Sequence, residues 1–474
     1  MSYSPYKIQI PESFAKTVSS EFIPTEEQLE ASKLIRRFLN STEKIFVLKG
    51  YAGTGKTTLV NFILKDYYMK GKLIAVSAFT NKATNVISRK TPFAQGITLY
   101  KLLGLTADES SDVLKFRRPK EDSKKRSLVP QFDIIVLDEV SMVLDSDLNL
   151  LIKEINKMYS TTKLIIMGDP AQLEPIGQET DSIAFSFENS FQLKNIVRQA
   201  EESNIIRYSF CVREMLKRID NGEKIPIRTK LNPVLNPDLQ DLIIMKDARK
   251  FIDLMLEEYT SDNYKNNGDY VRTVAYRNVS IDAINNLIRK NVFKEAEDTI
   301  TVGENIVLNY PVQDLSTGFN LYDTSDELEV TNILSSEMYD NSSDHCGLKI
   351  QFPYYVCLTS RRFDGLNGEM KIVNPAFKGK FTDLVSEWGR EIRKQKEAKS
   401  IYANEFYPFK KRFHTVSYNY ALTSHKIQGS TVDKIFLLED DIEKVSQASL
   451  TSLWKSKYVA YTRASKQLII LNRH

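Results

Sequence analysis

The stretch from Lys44 to Leu59, KIFVLKGYAGTGKTTL, constrains this chain more than any other. Ile45 to Leu48 is a short apolar run of strand character, and Leu59, Val60, Phe62, Ile63 and Leu64 follow at roughly helical spacing. Between them, Gly50-Tyr51-Ala52-Gly53-Thr54-Gly55-Lys56-Thr57 fits G-x-x-x-x-G-K-[ST]. Strand, glycine-rich turn and helix is the context that makes this pattern a P-loop. Glycines let backbone amides close around phosphate oxygens, and the helix N-terminus adds its positive dipole. Lys56 is placed to reach the β- and γ-phosphates of a nucleotide, and the Thr57 hydroxyl to hold Mg²⁺, with Thr58 beside it. A chance glycine-rich turn is a poor account of the whole motif in that context. A nucleotide triphosphatase is expected, and its purpose has to come from the rest of the chain.

At 474 residues the chain exceeds one ordinary core, so about three or four domains are expected. Apolar content of 42% and charged content of 27% describe a soluble globular protein rather than a disordered or membrane one. No apolar run is long enough to span a bilayer, and the first residues lack the apolar core of a signal peptide. Three cysteines without a C-x-x-C pair indicate neither a zinc site nor a disulfide framework, and fit a reducing, cytoplasmic setting. The net charge of +4 decides nothing, but it is unevenly spread. Lys115 to Arg126, Arg390 to Lys399 and Lys410 to Arg412 are basic runs, each a weak hint of a polyanion beside the plainer reading of a solvated face.

Taken in order, residues 1–20 read as a leader or flanking strap. A helix opens at Pro24-Thr25-Glu26-Glu27-Gln28, with Thr25 as N-cap and Gln28 closing a capping box. The same Gln28 amide also has the paired donor and acceptor that read adenine, and its place one helix before the P-loop favours that role. Leu73 to Ala78 is the next strand and runs into Phe79-Thr80-Asn81-Lys82-Ala83, a polar turn with a basic residue that suits a phosphodiester backbone. Residues 92–130 interrupt the alternation and read as a small, hairpin-like insert: Thr98 to Leu103 is a short helical piece, and a polar, basic segment follows with Val113, Leu114 and Phe116 as its sizeable apolar cluster. Asp133 to Leu137 is a buried strand ending in Asp138-Glu139. Asp138 is then the Mg²⁺ carboxylate and Glu139 the base that activates water. Lys163 to Met167 leads into Gly168-Asp169-Pro170-Ala171-Gln172, which places Gln172 to sense the γ-phosphate. Arg198 and Arg463 read as a pair of arginine fingers rather than surface residues.

Residues 201–304 restart an α/β pattern without a second P-loop. Residues 305–375 change to short strands separated by Gly, Asn and Asp turns, the signature of a small β-barrel, followed by a basic helical stretch from about 377 to 404. The α/β pattern resumes at about 415 and carries Ala421 to Thr431 and Tyr458 to Ala464. His425 reads as a loop histidine before a zinc ligand, with no cysteine near it.

The order of these motifs resembles superfamily 1 DNA helicases, and within them the 5′-to-3′ RecD/Dda-like branch (superfamily 1B). The resemblance covers residues 22–474. Gln28 matches the Q motif, Gly50 to Thr57 motif I, Thr80 to Ala83 motif Ia and Asp138 to Met142 motif II. Gly168 to Leu173 matches motif III, Val197 to Gln199 motif IV, Ala421 to Thr431 motif V and Tyr458 to Ala464 motif VI. This implies an α/β fold of two RecA-like doubly wound parallel-sheet domains, 1A over 21–200 and 2A over 201–304 and 413–474. A 1B insert carrying a strand-separating pin is implied at about 92–130, and an SH3-like 2B insert at 305–412. Nucleotide contacts are implied for Gln28, Gly50, Ala52, Gly53, Thr54, Gly55, Lys56, Thr57, Thr58 and Gly429, with Mg²⁺ on Thr57 and Asp138. Chemistry falls to Lys56, Asp138, Glu139, Gln172, Arg198 and Arg463. Single-stranded DNA is implied to meet Phe79, Thr80, Asn81, Lys82, Thr98, Ser424 and His425, with Phe116 at the pin's tip. Forked duplex DNA is the implied substrate, a monomer the working form, and replication or recombination proteins the implied company in a bacterial or phage-infected cell. The motifs leave three rivals standing: a translocase that strips proteins without separating strands, an RNA helicase, and a binding module with dead chemistry. The intact catalytic set argues against the last.

Overall fold

The computed structural model describes residues 22–107, 116–117, 126–158, 160–175, 177–178, 180–196, 203–294, 299–314, 320–345, 348–362, 364–394, 399–444 and 449–473. Three main sheets organise them. The first has six parallel strands, in spatial order Gln95–Gly96, Ile74–Ser77, Ile134–Leu137, Lys163–Gly168, Ile45–Gly50 and Ser190–Leu193. Successive residues along each strand must point to opposite faces. Val76, Val136, Ile165 and Met167 accordingly pack with Ala31, Ile35, Leu59 and Ile63 of the flanking helices. Ala75, Ile135, Leu164 and Ile166 pack on the other face with Leu99, Leu102, Leu148 and Leu151. Both faces are covered, which is why these strands are continuous apolar runs.

The second sheet has five parallel strands in the order Ala421–Thr423, Val271–Ala275, Val432–Leu438, Ala464–Leu471 and Leu242–Met245. Its alternation is the same: Val274, Ile435, Leu437 and Ile470 face one cluster, and Ala275, Phe436, Ile469 and Leu471 the other. Two α/β units with parallel sheets, one bearing the P-loop, are the RecA-like arrangement expected from the sequence.

The third sheet departs from expectation. Short barrel strands were expected. The chain instead forms a long antiparallel hairpin, Glu327–His345 against Leu348–Arg361, flanked by Asn367–Val373 and Asn305–Leu308. Residues 348–361, within the stretch expected to break into short strands, form one continuous strand. Helices Lys378–Lys394 and Lys399–Arg412 follow, and Trp388, Phe381, Phe406 and Phe409 pack on Phe352 and Phe413. This sheet also takes Phe413–His414 and Val416–Tyr418, so the second parallel sheet resumes at Ala421 rather than at about 415. The insert expected over 92–130 is likewise narrower. Gln95–Gly96 belongs to the first sheet, and Leu99, Leu102, Leu103 and Val129 belong to its core. Among the described residues of this stretch, Thr106–Ala107 against Phe116–Arg117 forms a separate antiparallel ladder. No described helix is long and apolar enough to cross a membrane.

Candidate active site and nucleic-acid edge

The P-loop leaves the strand Ile45–Gly50 and enters the helix Lys56–Met69 through Gly53 and Gly55. Both take positive φ, +80° and +78°, which only glycine adopts without strain. A Cβ on Gly50 would sit 2.8 Å from Thr54 Oγ1 and 3.2 Å from Lys56 Cδ, so the loop closes only around a glycine. The Thr54 hydroxyl, buried, donates to the Tyr51 carbonyl at 2.8 Å and holds the loop's curl. The Lys56 ammonium folds over the mouth and donates to the carbonyls of Gly50 (2.6 Å) and Tyr51 (3.1 Å).

Gln28 closes the capping box that its position suggests and makes one further contact that spacing does not reveal. Its Oε1 accepts from Thr25 N–H at 3.0 Å, completing the capping box, while its Nε2 donates to the Thr54 carbonyl at 2.9 Å. The buried side chain therefore braces the P-loop from behind. Any contact to a base uses only its remaining lone pair and N–H.

The Thr57 hydroxyl stands 3.5 Å from Asp138 Oδ2, at the end of the strand Ile134–Leu137. A hydroxyl and a carboxylate converging beside a P-loop are the hard oxygen donors that suit Mg²⁺. Burial and the neighbouring Glu139 push the Asp138 carboxyl up to about 6 against the pull of Lys56, a local excess of negative charge that a divalent cation would offset. Glu139 is one of two described non-glycine residues with positive φ, at +52°. Its N–H donates to Asp138 Oδ1 at 2.8 Å and its carbonyl accepts from Met142 N–H at 3.0 Å, so a tight turn holds the strained backbone in place. That strain costs on the order of 1–3 kcal/mol.

The second parallel-sheet unit closes this cleft with contacts that reach directly into the first. Arg463 is nearly buried. One Nη stands 3.9 Å from Glu139 Oε1, and its Nε has no partner in the protein. Gln428 Nε2 donates to Gln172 Oε1 at 2.9 Å, so motif V holds the motif III glutamine. Lys455 pairs with Glu174 and Asp181, both at 2.6 Å. The Arg213 guanidinium lies 4.0 Å from the centre of the Tyr51 ring. A cavity of about 770 Å³ opens between Tyr51, Ala171, Glu174, Arg213 and Lys455. Gly429, at φ +73°, sits against Ala83 and Glu139: a Cβ there would come within 3.2 Å of the Ala83 Cβ. Its role is thus close approach of the two units.

Two expected nucleotide or nucleic-acid contacts are corrected. The Ala52 N–H is already donated to the Tyr458 hydroxyl at 3.0 Å, so it does not cradle phosphate in this arrangement. Ser424 is fully buried beneath the surface it was expected to share with DNA. Arg198 lies outside the described residues, as does the Phe116 side chain. The small Tyr458 and Gln428 roles escaped the sequence reading because their partners are remote. The only local signal was their membership of motifs VI and V.

The motif Ia edge is differently arranged. Thr80 caps the helix Asn81–Lys90 by accepting from Ala83 N–H at 3.1 Å. Asn81 Nδ2 donates to the Thr324 carbonyl at 2.9 Å, and Lys82 pairs with Glu327 at 2.6 Å and Asp269 at 3.4 Å. Arg272, fully buried in the second sheet, takes the other Glu327 oxygen at 3.0 Å. Glu327 is thus a junction of all three sheets. Burial alone would raise its carboxyl, but Lys82 and Arg272 bring it down to about 2. Lys101 pairs with Asp323 at 2.5 Å beside a cavity of about 370 Å³ that Thr98 also lines. Phe79 packs edge-on against Tyr100. His425 is half-buried, and that burial lowers its pKa. No His, Cys, Asp and Glu cluster of metal-binding form occurs among the described residues.

A family described as an AAA domain matches residues 25–222. An uncharacterized protein of Acanthamoeba polyphaga mimivirus is 26% identical, over 94% of this chain and 98% of that protein. The ATP-dependent DNA helicase dda of Enterobacteria phage T4 is 24% identical, over 61% of each chain. A solved structure of Bacteroides Pif1 bound to ssDNA covers 96% of this chain and 93% of its own, at 18% identity and a TM-score of 0.47. In its motif set, in the AAA-domain match over residues 25–222 and in these sequence relatives, the chain is similar to the Dda- and Pif1-like ATP-dependent DNA helicases.

Proposed function

We propose that this protein is an ATP-dependent DNA helicase that moves 5′-to-3′ along single-stranded DNA and unwinds duplex. The observation that carries the reading is Arg463 of the second unit standing across the cleft from Glu139 of the first, on the P-loop side. ATP binds between the units with its phosphates in the P-loop amides and against Lys56. Thr57 and Asp138 are the residues that would hold Mg²⁺, which when bound neutralises phosphate charge. Glu139 takes the proton of the attacking water, Gln172 senses the γ-phosphate, and Arg463 stabilises the charge that develops there. Arg198 is proposed as a second finger.

Closure with ATP and opening after hydrolysis shift one parallel-sheet unit against the other, and a strand gripped by both is advanced. Phosphates would meet Thr80, Asn81, Lys82 and the His425 loop. The ladder at 106–117 is proposed as the 1B pin region, with Phe116 near its tip. The third sheet and its two helices are proposed as the counterpart of the SH3-like 2B domain. The phage relative's name supports DNA over RNA, and competing the two for ATPase stimulation tests that choice. The decisive experiment is ATPase activity with and without single-stranded DNA, followed by forked duplexes with one tail each. Unwinding from a 5′ tail is expected. Unwinding only from a 3′ tail removes the polarity, and stimulated turnover without strand separation leaves a translocase.

A further inference from the structure

Tyr458 stands out among the buried polar groups of the cleft. It lies in the helix Leu450–Thr462 of the second unit, is 1% exposed, and carries a hydroxyl that reaches wholly into the first unit. That hydroxyl accepts from Ala52 N–H at 3.0 Å and donates to Asp169 Oδ2 at 2.7 Å. Ala52 is in the P-loop and Asp169 opens motif III. Asp169 is itself fully buried, and its other oxygen accepts from Ala171 N–H at 2.9 Å, which fixes the turn that presents Gln172. One oxygen atom of the second unit thus holds the two elements of the first that handle the phosphates and the attacking water.

A buried tyrosine merely satisfying its hydroxyl needs one partner inside its own unit. This one uses both a donor and an acceptor, and both belong to the opposite wall. When the units part, the Ala52 amide and Asp169 Oδ2 lose the hydroxyl they share, while Asp169 Oδ1 keeps Ala171 N–H, so the tie between the P-loop's leading half and the motif III turn is lost. Hydrogen bonds to a carboxylate are stronger than neutral ones, and a buried group that loses its partner bears the full desolvation penalty. The brace is therefore sensitive to small movements of the helix Leu450–Thr462 against the P-loop.

We infer that Tyr458 is a positioning residue that makes ATP turnover depend on closure, by tying Ala52 of the P-loop and Asp169 of motif III to the second unit through one hydroxyl. The inference rests on the proposed hydrolysis of ATP in this cleft. Tyr458 engages the Ala52 amide and none of those that follow it in the loop, so the brace acts on the alignment of the reacting groups more than on nucleotide affinity.

The test is Tyr458→Phe, which keeps the ring in its packed site and removes only the oxygen, together with Asp169→Asn and the double variant. In the full-length protein with saturating single-stranded DNA, Y458F is expected to lower kcat about tenfold while KM for ATP moves less than about twofold. Because the two groups act as one unit, the double variant should be no slower than the slower single variant. An unchanged kcat in Y458F, or losses that multiply in the double variant, overturns the inference. So does a KM rise that accounts for the whole loss of kcat/KM. Lys56→Ala, run alongside, separates the two readings: retained turnover there rejects the site itself, whereas lost turnover there with normal Y458F rejects only the brace.

Discussion

The nucleotide cleft and the motif Ia edge are both places where separate parts of the chain meet, yet they are assembled from opposite chemistry. In the cleft, a tyrosine hydroxyl, two glutamine amides and an aromatic ring under a guanidinium join the units beside the Lys455 pair with Glu174 and Asp181, and none of these engages the cations meant for phosphate. The cations meant for phosphate, Lys56 and Arg463, face carbonyl oxygens or stand 3.9 Å from a carboxylate. A triphosphate entering there displaces only weak contacts. At the motif Ia edge the cations are already matched by full carboxylates, Lys82 by Glu327 and Lys101 by Asp323. A nucleic-acid phosphate reaching Lys82 has to compete with an internal anion that has the same charge and a fixed position. The difference suggests that the third sheet, which supplies Glu327, has to shift before the strand is fully gripped.

The largest effects belong to the cleft. Lys56→Ala should cut ATP turnover by roughly 10²–10³-fold or more, because it removes a preorganised positive charge from a water-poor site. Binding of single-stranded DNA without nucleotide should largely persist, as fluorescence anisotropy would read. Loss of both would break the separation of the two regions. Glu139→Gln should lower kcat about 10²-fold with nucleotide binding retained, since the carboxylate acts on water and not on the phosphates' ground-state fit. Equal losses in kcat and nucleotide affinity would move Glu139 out of the base role.

At the motif Ia edge the sign reverses. Glu327→Gln should tighten single-strand binding at low salt by about three- to tenfold, because it removes the nearer anion from Lys82, leaving Asp269 at 3.4 Å, and leaves a neutral amide between Lys82 and Arg272. Weaker binding would show that Glu327 holds the edge in its competent shape instead. The same pair predicts an acid signature. Glu327 sits at about 2 in the folded chain against an ordinary 4.5, so its stabilisation is present above about pH 4.5 and is lost as pH falls toward 2. Wild type should therefore lose more stability than E327Q between pH 5 and pH 3 in thermal melts (about the window this shift defines).

The two regions were not equally legible. The P-loop, Asp138-Glu139 and Gln172 are set by spacing within a few residues, so the chain's order alone places them at strand ends. Tyr458 could not be read the same way, since its partners lie 406 and 289 residues away. Lys82 and Glu327 are 245 apart, and nothing near either names the other. The long hairpin was missed because Asp340, Asn341, Ser342, Ser343 and Asp344 look like turn chemistry. Pairing against Leu348–Arg361 carries the strand through them regardless, as context overrides strand propensity. Gln428 and Ser424 show the converse. Both sit in a motif that the sequence assigns to ligands, and the fold buries both.

The smallest effect sharpens the contrast within the motif Ia edge itself. Lys101 and Asp323 are closer than Lys82 and Glu327, 2.5 against 2.6 Å, so distance alone ranks them as equals. Exposure ranks them otherwise: the Lys101 side chain is 55% exposed, that of Lys82 24%. A solvated pair is screened by water and salt and contributes roughly 0–1 kcal/mol, whereas Lys82 shares its carboxylate with a buried arginine. Asp323→Asn should therefore change single-strand affinity by less than about twofold, and that change should vanish at about 0.3 M salt, where the Debye length falls to about 6 Å from about 30 Å at 0.01 M. The E327Q effect should survive the salt. Should D323N match E327Q at both salt concentrations, solvent exposure would not be what sets the two pairs apart, and Asp323 would belong with Glu327 as a competitor for the strand.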